Sequence, residues 1–93
     1  MKPLKPLAPG RIRCCVPYCG RTFKLRAGEE ADTETMCGRH WRLGDKALRV
    51  KRARYMRMIS RGVQGPELSR AYYQAHRLWE LVKAQAIERA MGA

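Results

Sequence analysis

The 93-residue sequence predicts a small α+β protein: a cysteine knuckle with a β-hairpin, followed by an antiparallel two-helix hairpin. Three observations lead there. Four cysteines and a histidine crowd into the first 40 residues, a short apolar/polar alternation runs through 21–26, and the stretches 45–62 and 66–91 repeat apolar residues at helical spacing. A chain this short buries only a small core, so a cross-link or a metal would supply stability that packing alone does not.

Composition narrows the class. With 45% hydrophobic and 30% charged residues, the chain is expected to fold and not to remain disordered. No apolar run approaches the length of a transmembrane helix. The start, MKPLKPLAPG, lacks an apolar export segment, and its prolines would break a presequence helix. We therefore expect a cytoplasmic or nucleoid protein in a reducing compartment, where four cysteines favour thiolate–metal chemistry over disulfides.

The net charge of +12 is unevenly placed. Residues 1–13 carry +4, 14–36 carry −1, 37–65 carry +8 and 66–93 carry +1. Such concentration in one tail and one stretch is the footprint of a surface for polyanions.

Taken in order, residues 1–13 read as a flexible basic arm, with Pro favouring extended backbone and Lys2, Lys5, Arg11 and Arg13 available to phosphates. Residues 14–93 read as a single domain. Within it a module over 14–43 begins with a turn at Val16-Pro17-Tyr18 and Gly20. Phe23 and Leu25 alternate with polar neighbours as in a strand, Gly28 to Asp32 suit a hairpin loop, and Thr33 to Met36 form the expected returning strand.

From Cys37 to Arg61 the pattern turns helical. Trp41, Leu48, Tyr55 and Ile59 share one face, while Arg39, Arg42, Lys46, Arg49, Arg54, Arg57 and Arg61 gather on the other. Gly44-Asp45 interrupts this helix, and Asp45 suits the N-cap of a second segment, the basic helix of 45–62. Gly62 and Gly65-Pro66 end it, and Pro66 suits the first turn of the C-terminal helix, 66–91. There Leu68, Tyr72, Ala75, Trp79, Val82 and Ala86 form the expected buried face, to pack on the preceding helix.

Cys14, Cys15, Cys19, Cys37 and His40 have the spacing of a metal site: a close cysteine pair, an insertion, then Cys-x2-His. Four ligands close a tetrahedral zinc site, with either Cys14 or Cys15 joining Cys19, Cys37 and His40. A helix starting at Cys37 would also favour its thiolate. One structural Zn2+ is expected, with no open position for a catalytic water.

The stretches Cys14-Cys-Val-Pro-Tyr-Cys19-Gly-Arg and Met36-Cys37-Gly-Arg-His40-Trp-Arg resemble treble-clef-type zinc modules of phage and bacterial proteins, including the N-terminal motif of some phage HNH endonucleases. The resemblance covers about residues 14–43 and implies a two-cysteine knuckle, a β-hairpin and a helix opened by Cys-x2-His. It also implies Cys14 with Cys19 as the first ligand pair, leaving Cys15 at a variable position.

The catalytic half of such a nuclease is absent. The chain contains no Asn, and its other histidine, His76, lies in the last helix beside Ala75 and Trp79. No phosphate-binding Gly-rich loop, serine nucleophile motif or paired-carboxylate site stands out, and Glu29, Glu30, Asp32 and Glu34 read as a solvated patch. A non-enzymatic role is expected.

Six of the seven cations on the helix face are Arg, whose planar fork suits phosphates and guanine edges. The expectation is a zinc-stabilised module that binds DNA or RNA through Arg39, Arg42, Lys46, Arg49, Arg54, Arg57 and Arg61. The alternative is a small phage-type adaptor that binds an acidic host protein, with Trp41, Tyr55, Tyr72, Tyr73 and Trp79 as anchors and Tyr73 the best placed. A membrane-surface helix fits less well, since Arg52 intrudes beside the apolar seam. Nothing suggests a small-molecule substrate.

Overall fold

In the computed structural model, residues 6–29 and 33–92 are described. The elements run β1 (Arg11–Arg13), β2 (Thr22–Lys24), α1 (Gly38–Trp41), α2 (Lys46–Ser60) and α3 (Pro66–Ala90). The predicted class is present: a small antiparallel hairpin followed by a helical pair.

The hairpin differs from expectation in its partner. β2 falls inside the predicted strand, but it pairs with β1 in the stretch read as a flexible arm, in the register Arg11↔Lys24, Ile12↔Phe23 and Arg13↔Thr22. The cysteine knuckle of residues 14–21 is therefore the loop of the hairpin and not its prelude. Flanking bonds extend the ladder, from the Leu25 N–H to the Gly10 carbonyl (2.8 Å) and from the Cys14 N–H to the Arg21 carbonyl (2.9 Å). The Arg11 guanidinium donates to the Thr22 carbonyl at 3.1 Å and to its hydroxyl at 2.9 Å, holding the two strands together from the side.

Thr35, expected in a returning strand, makes only an isolated parallel bridge to Cys14. The Cys15 N–H donates to its carbonyl at 2.8 Å, which ties the chain before α1 to the knuckle. Of the predicted loop, Gly28 takes a left-handed φ of 85°, and residues 30–32 lie outside the described ones, as do Lys2 and Lys5 of the arm.

The predicted interruption at Gly44-Asp45 separates two helices, so Arg39 and Arg42 belong to α1 and its C-terminus and not to the basic helix. Asp45 stands at the N-cap of α2, yet its side chain makes no capping bond; its backbone N–H instead donates to Gln85 Oε1 of α3 at 2.8 Å. Pro66 opens α3, where its missing N–H costs nothing.

α3 is the spine, packed against both α2 and α1. Its buried stripe is Ala71, Ala75, Leu78, Val82 and Ala86. This corrects the predicted face by one position: Tyr72 is 56% exposed, and Ala71 and Leu78 take the inner line. The reason is steric. Three of the five stripe residues are alanines, which let α2 approach closely, while Leu68 and Trp79 lie half-buried at the edges. α2 buries no residue fully; Leu48, Tyr55 and Ile59 are half-buried on its inner side, as expected for its seam.

Gly44 sits where α1 hands over to α2, and it is buried against α3. A Cβ there would stand 2.5 Å from Val82 Cγ1, and Val82 is fully buried and stiff at χ1. Gly44→Ala is thus an overpacking substitution, expected to cost about 1–3 kcal/mol. In thermal unfolding this should lower Tm by at least about 4 °C; an unchanged Tm would mean that the junction does not press on α3.

The knuckle has its own small core, Cys14, Val16 and Cys37, covered by Phe23, Met36 and Ile87. Ile87 comes from α3, so this core and the helical pair share one element. Polar contacts reinforce the seam. Glu34 accepts from Trp79 Nε1 (3.2 Å) and Lys83 Nζ (3.0 Å), and Arg89 donates to the Leu43 carbonyl. The Lys83 ammonium, followed by Trp79, holds the Glu34 carboxyl below its ordinary pKa.

Candidate metal centre and basic face

The hairpin brings the knuckle over the start of α1, and four side chains meet there. The ligand atoms of Cys14, Cys19, Cys37 and His40 all lie within 4.8 Å of one another. Cys19 Sγ is 3.8 Å from Cys37 Sγ, while His40 Nδ1 is 3.7 Å from Cys14 Sγ and 3.2 Å from Cys37 Sγ. A tetrahedral centre with metal–sulfur bonds of about 2.3 Å and a metal–nitrogen bond of about 2.0 Å has edges of roughly 3.5–3.8 Å. The cluster is thus of the size that one metal ion requires, and no two of these cysteines are joined in a disulfide.

Local sequence explains the convergence. Ile12, Cys14 and Val16 are buried while Cys15, at a bend that follows β1, is half-buried. Cys14 enters the cluster and Cys15 does not. The period-two pattern Ile12, Cys14, Val16 was present in the sequence and could have made that choice. Left-handed backbone at Tyr18 (φ 64°) and Gly20 (φ 77°) then turns the chain so that Cys19 returns to Cys14. Cys37 and His40 stand three residues apart at the opening of α1, one helical turn, and so face the same way.

The thiols differ electrostatically. Burial pushes the Cys14 thiol up to about 11, against the Cys37 and Val16 backbone N–H groups that would favour its thiolate. The Cys37 N–H lies 3.3 Å from Cys14 Sγ. At Cys37 burial also disfavours the charge, but the His40 N–H and then the Cys19 and Cys14 thiols outweigh it, and the thiol titrates below its ordinary value. α1 has four residues, so these discrete hydrogen bonds, and not the field of a long helix, favour the Cys37 thiolate. Cys15 is also raised, by burial and then by Glu34.

The predicted cations separate into three groups. Lys46, Arg54, Arg57 and Arg61 are exposed along α2 and its C-cap. At about 100° per residue they project within roughly 80° of one another. Val50, 51% exposed, lies in their midst, and α2 contains no acidic residue. Arg49 is the exception: it is half-buried, and its Nε donates to the Gly44 carbonyl at 3.1 Å, so it braces the α1–α2 junction. Arg39 and Arg42 are exposed at α1, beside the metal cluster.

Arg52, noted in the sequence only as an intruder on the apolar seam, has a defined place. Its guanidinium carbon lies 5.4 Å from the ring centres of both Trp41 and Trp79, which stack at 5.5 Å with 22° between planes. Arg52 Nε is buried without a hydrogen-bond partner among the described residues, and the two π-faces take that role. Burial lowers its pKa from the ordinary arginine value, although the group stays charged.

Of the remaining candidates, His76 is exposed and within 3.9 Å of Glu80, and it meets no nucleophile among the described residues. Tyr73 is 67% exposed, as anticipated for an anchor outside the core. No helix among the described residues is long and apolar enough to cross a membrane. No family model, curated protein or solved structure matches the chain.

Proposed function

We propose that this is a zinc-stabilised, non-catalytic nucleic-acid-binding protein. The observation that carries the reading is the outer arc of α2 and its C-cap: Lys46, Arg54, Arg57 and Arg61, exposed and in register, on a helix with no acidic residue between Lys46 and Ser60. Fifteen helical residues extend for about 22 Å. A helix of this diameter fits a major groove about 12 Å wide, and guanidinium groups make bidentate contacts to phosphate.

Zinc is the metal that three thiolates and an imidazole at tetrahedral spacing favour. All four positions are filled by protein, so the ion's role is to hold β1, β2 and α1 together, as in the treble-clef modules that the sequence resembles. A nucleic-acid role also accords with a cytoplasmic or nucleoid-associated protein.

Titrating zinc-loaded protein against labelled duplex and single-stranded oligonucleotides across a salt series tests the reading. Four to five phosphate contacts should give a log–log salt slope of roughly −4 on duplex. Undetectable binding at low salt would reject it.

The adaptor reading rests on exposed Tyr72 and Tyr73, side by side on α3. It requires that a nuclease-treated lysate still yield one stoichiometric protein partner.

A further inference from the structure

Tyr18 is the one non-glycine residue with positive φ among the described residues (64°), yet the fold draws little from its ring. The side chain is 55% exposed and makes no hydrogen bond among the described residues. A bulky residue in this region costs on the order of 1 kcal/mol, and such conformations gather at ligand clamps. Glycine or asparagine would make the same turn with less strain.

What surrounds the ring gives the position a use. Tyr18 lines an open groove of about 470 Å³ with Arg21, Arg39, His40, Val16 and Met91. The side chains of Arg21 and Arg39 are exposed, and their guanidinium groups make no hydrogen bond or ion pair among the described residues. One wall is His40 of the candidate metal cluster, so an ion held there would order the groove together with the knuckle. An aromatic face, a soft thioether and two exposed guanidinium groups suit a ligand with a planar ring next to an anionic linkage.

We propose that this groove is a subsite for one unpaired nucleotide of a single strand, its base stacked on Tyr18 and its flanking phosphates held by Arg21 and Arg39. In a duplex the base faces are covered by their neighbours; in a single strand they are free to stack on an aromatic ring. The inference rests on the nucleic-acid reading above and deepens it. The arc on α2 supplies charge to any phosphate backbone, and the knuckle adds a preference for strands whose bases are open. Arg39, placed by the sequence with the helix face, works here.

The test uses the full zinc-loaded chain, an oligo(dT) 12-mer and a 12-base-pair duplex, with Tyr18→Gly and Tyr18→Phe. Glycine relieves the backbone, so zinc content and Tm should hold or rise. Affinity for oligo(dT) should nevertheless fall roughly 5- to 100-fold, the loss of one stacked base. Duplex affinity should change less than about twofold, and Tyr18→Phe should retain wild-type binding, because the π-face is what matters. Arg21→Gln with Arg39→Gln should flatten the oligo(dT) salt slope by about 1.4.

Equal effects of Tyr18→Gly on both ligands, or none on oligo(dT), would overturn the subsite while leaving the α2 reading intact. A wild type that binds neither would overturn both. Should Tyr18→Gly lose zinc, the decision passes to the Tyr18 ring resonances of the wild type: they should shift on adding oligo(dT) and stay unmoved by duplex, and unmoved resonances with oligo(dT) would overturn the proposal.

Discussion

Stripping the metal is expected to unfold the knuckle and hairpin while leaving much of the helical signal in place. Among the described residues the buried ones of the N-terminal part are Ile12, Cys14, Val16 and Cys37, two of which belong to the cluster that could hold a metal ion. Structural zinc contributes on the order of 10–16 kcal/mol in small modules, comparable with the whole stability of a typical domain. α2 and α3, in contrast, are joined by a stripe of their own. Chelation, Cys37→Ser and Cys14→Ser should each abolish zinc retention in native mass spectrometry. Each should also remove hydrogen-exchange protection from the Cys14 and Leu25 amides, whose acceptors are the Arg21 and Gly10 carbonyls. Cys15→Ser, outside the cluster, should retain one zinc. A metal-free wild type with both amides still protected would refute the structural role.

The second large effect is electrostatic. Arg54→Glu, Arg57→Glu and Arg61→Glu together replace three exposed cations with three anions on one arc of α2. Loss of three phosphate contacts should reduce the magnitude of the duplex salt slope by about 2.7, and affinity near 0.1 M salt should fall at least roughly tenfold. Stability should change far less. Arg57 and Arg61 stand at the C-terminal end of α2, where cations are favoured by about 0.3–1 kcal/mol each, so some loss of Tm is expected from Glu. The triple Gln variant separates the two terms: it retains more stability and still binds weakly. Unaltered affinity in the Glu triple would remove α2 from the interface.

How far the fold was legible depends on the range of the signal. The helices were readable because Gly44-Asp45 and Gly65-Pro66 are local punctuation, and the convergence of Cys14, Cys19, Cys37 and His40 because spacing within a turn is local too. The partner of β2 was not. Arg11-Ile12-Arg13 is three residues long in a proline-rich, basic context, and its pairing is set across the knuckle by ligands that converge only in three dimensions. Helical spacing puts Tyr72 on the buried face of α3, but the inner stripe runs one position earlier through Ala71 and Leu78, and its small residues Ala71, Ala75 and Ala86 carry no signal of burial until a neighbour lies against them. Arg52 was the hardest case. The sequence shows it only as an intruder beside the apolar seam, and the meeting of Trp41 with Trp79, 38 positions apart in the chain, provides it with an aromatic lodging.

That indole pair has an optical consequence. Trp41 and Trp79 are the two tryptophans of the chain, one on the short helix that carries His40 and the other on the spine of the helical hairpin. Stacked at 5.5 Å, their transitions couple, so the native protein should show an exciton feature in the ultraviolet circular dichroism and an emission altered by the neighbouring guanidinium. Both signals require the two halves to be docked. The protein thus contains its own spectroscopic gauge of whether the module is seated on the helices, readable without a label.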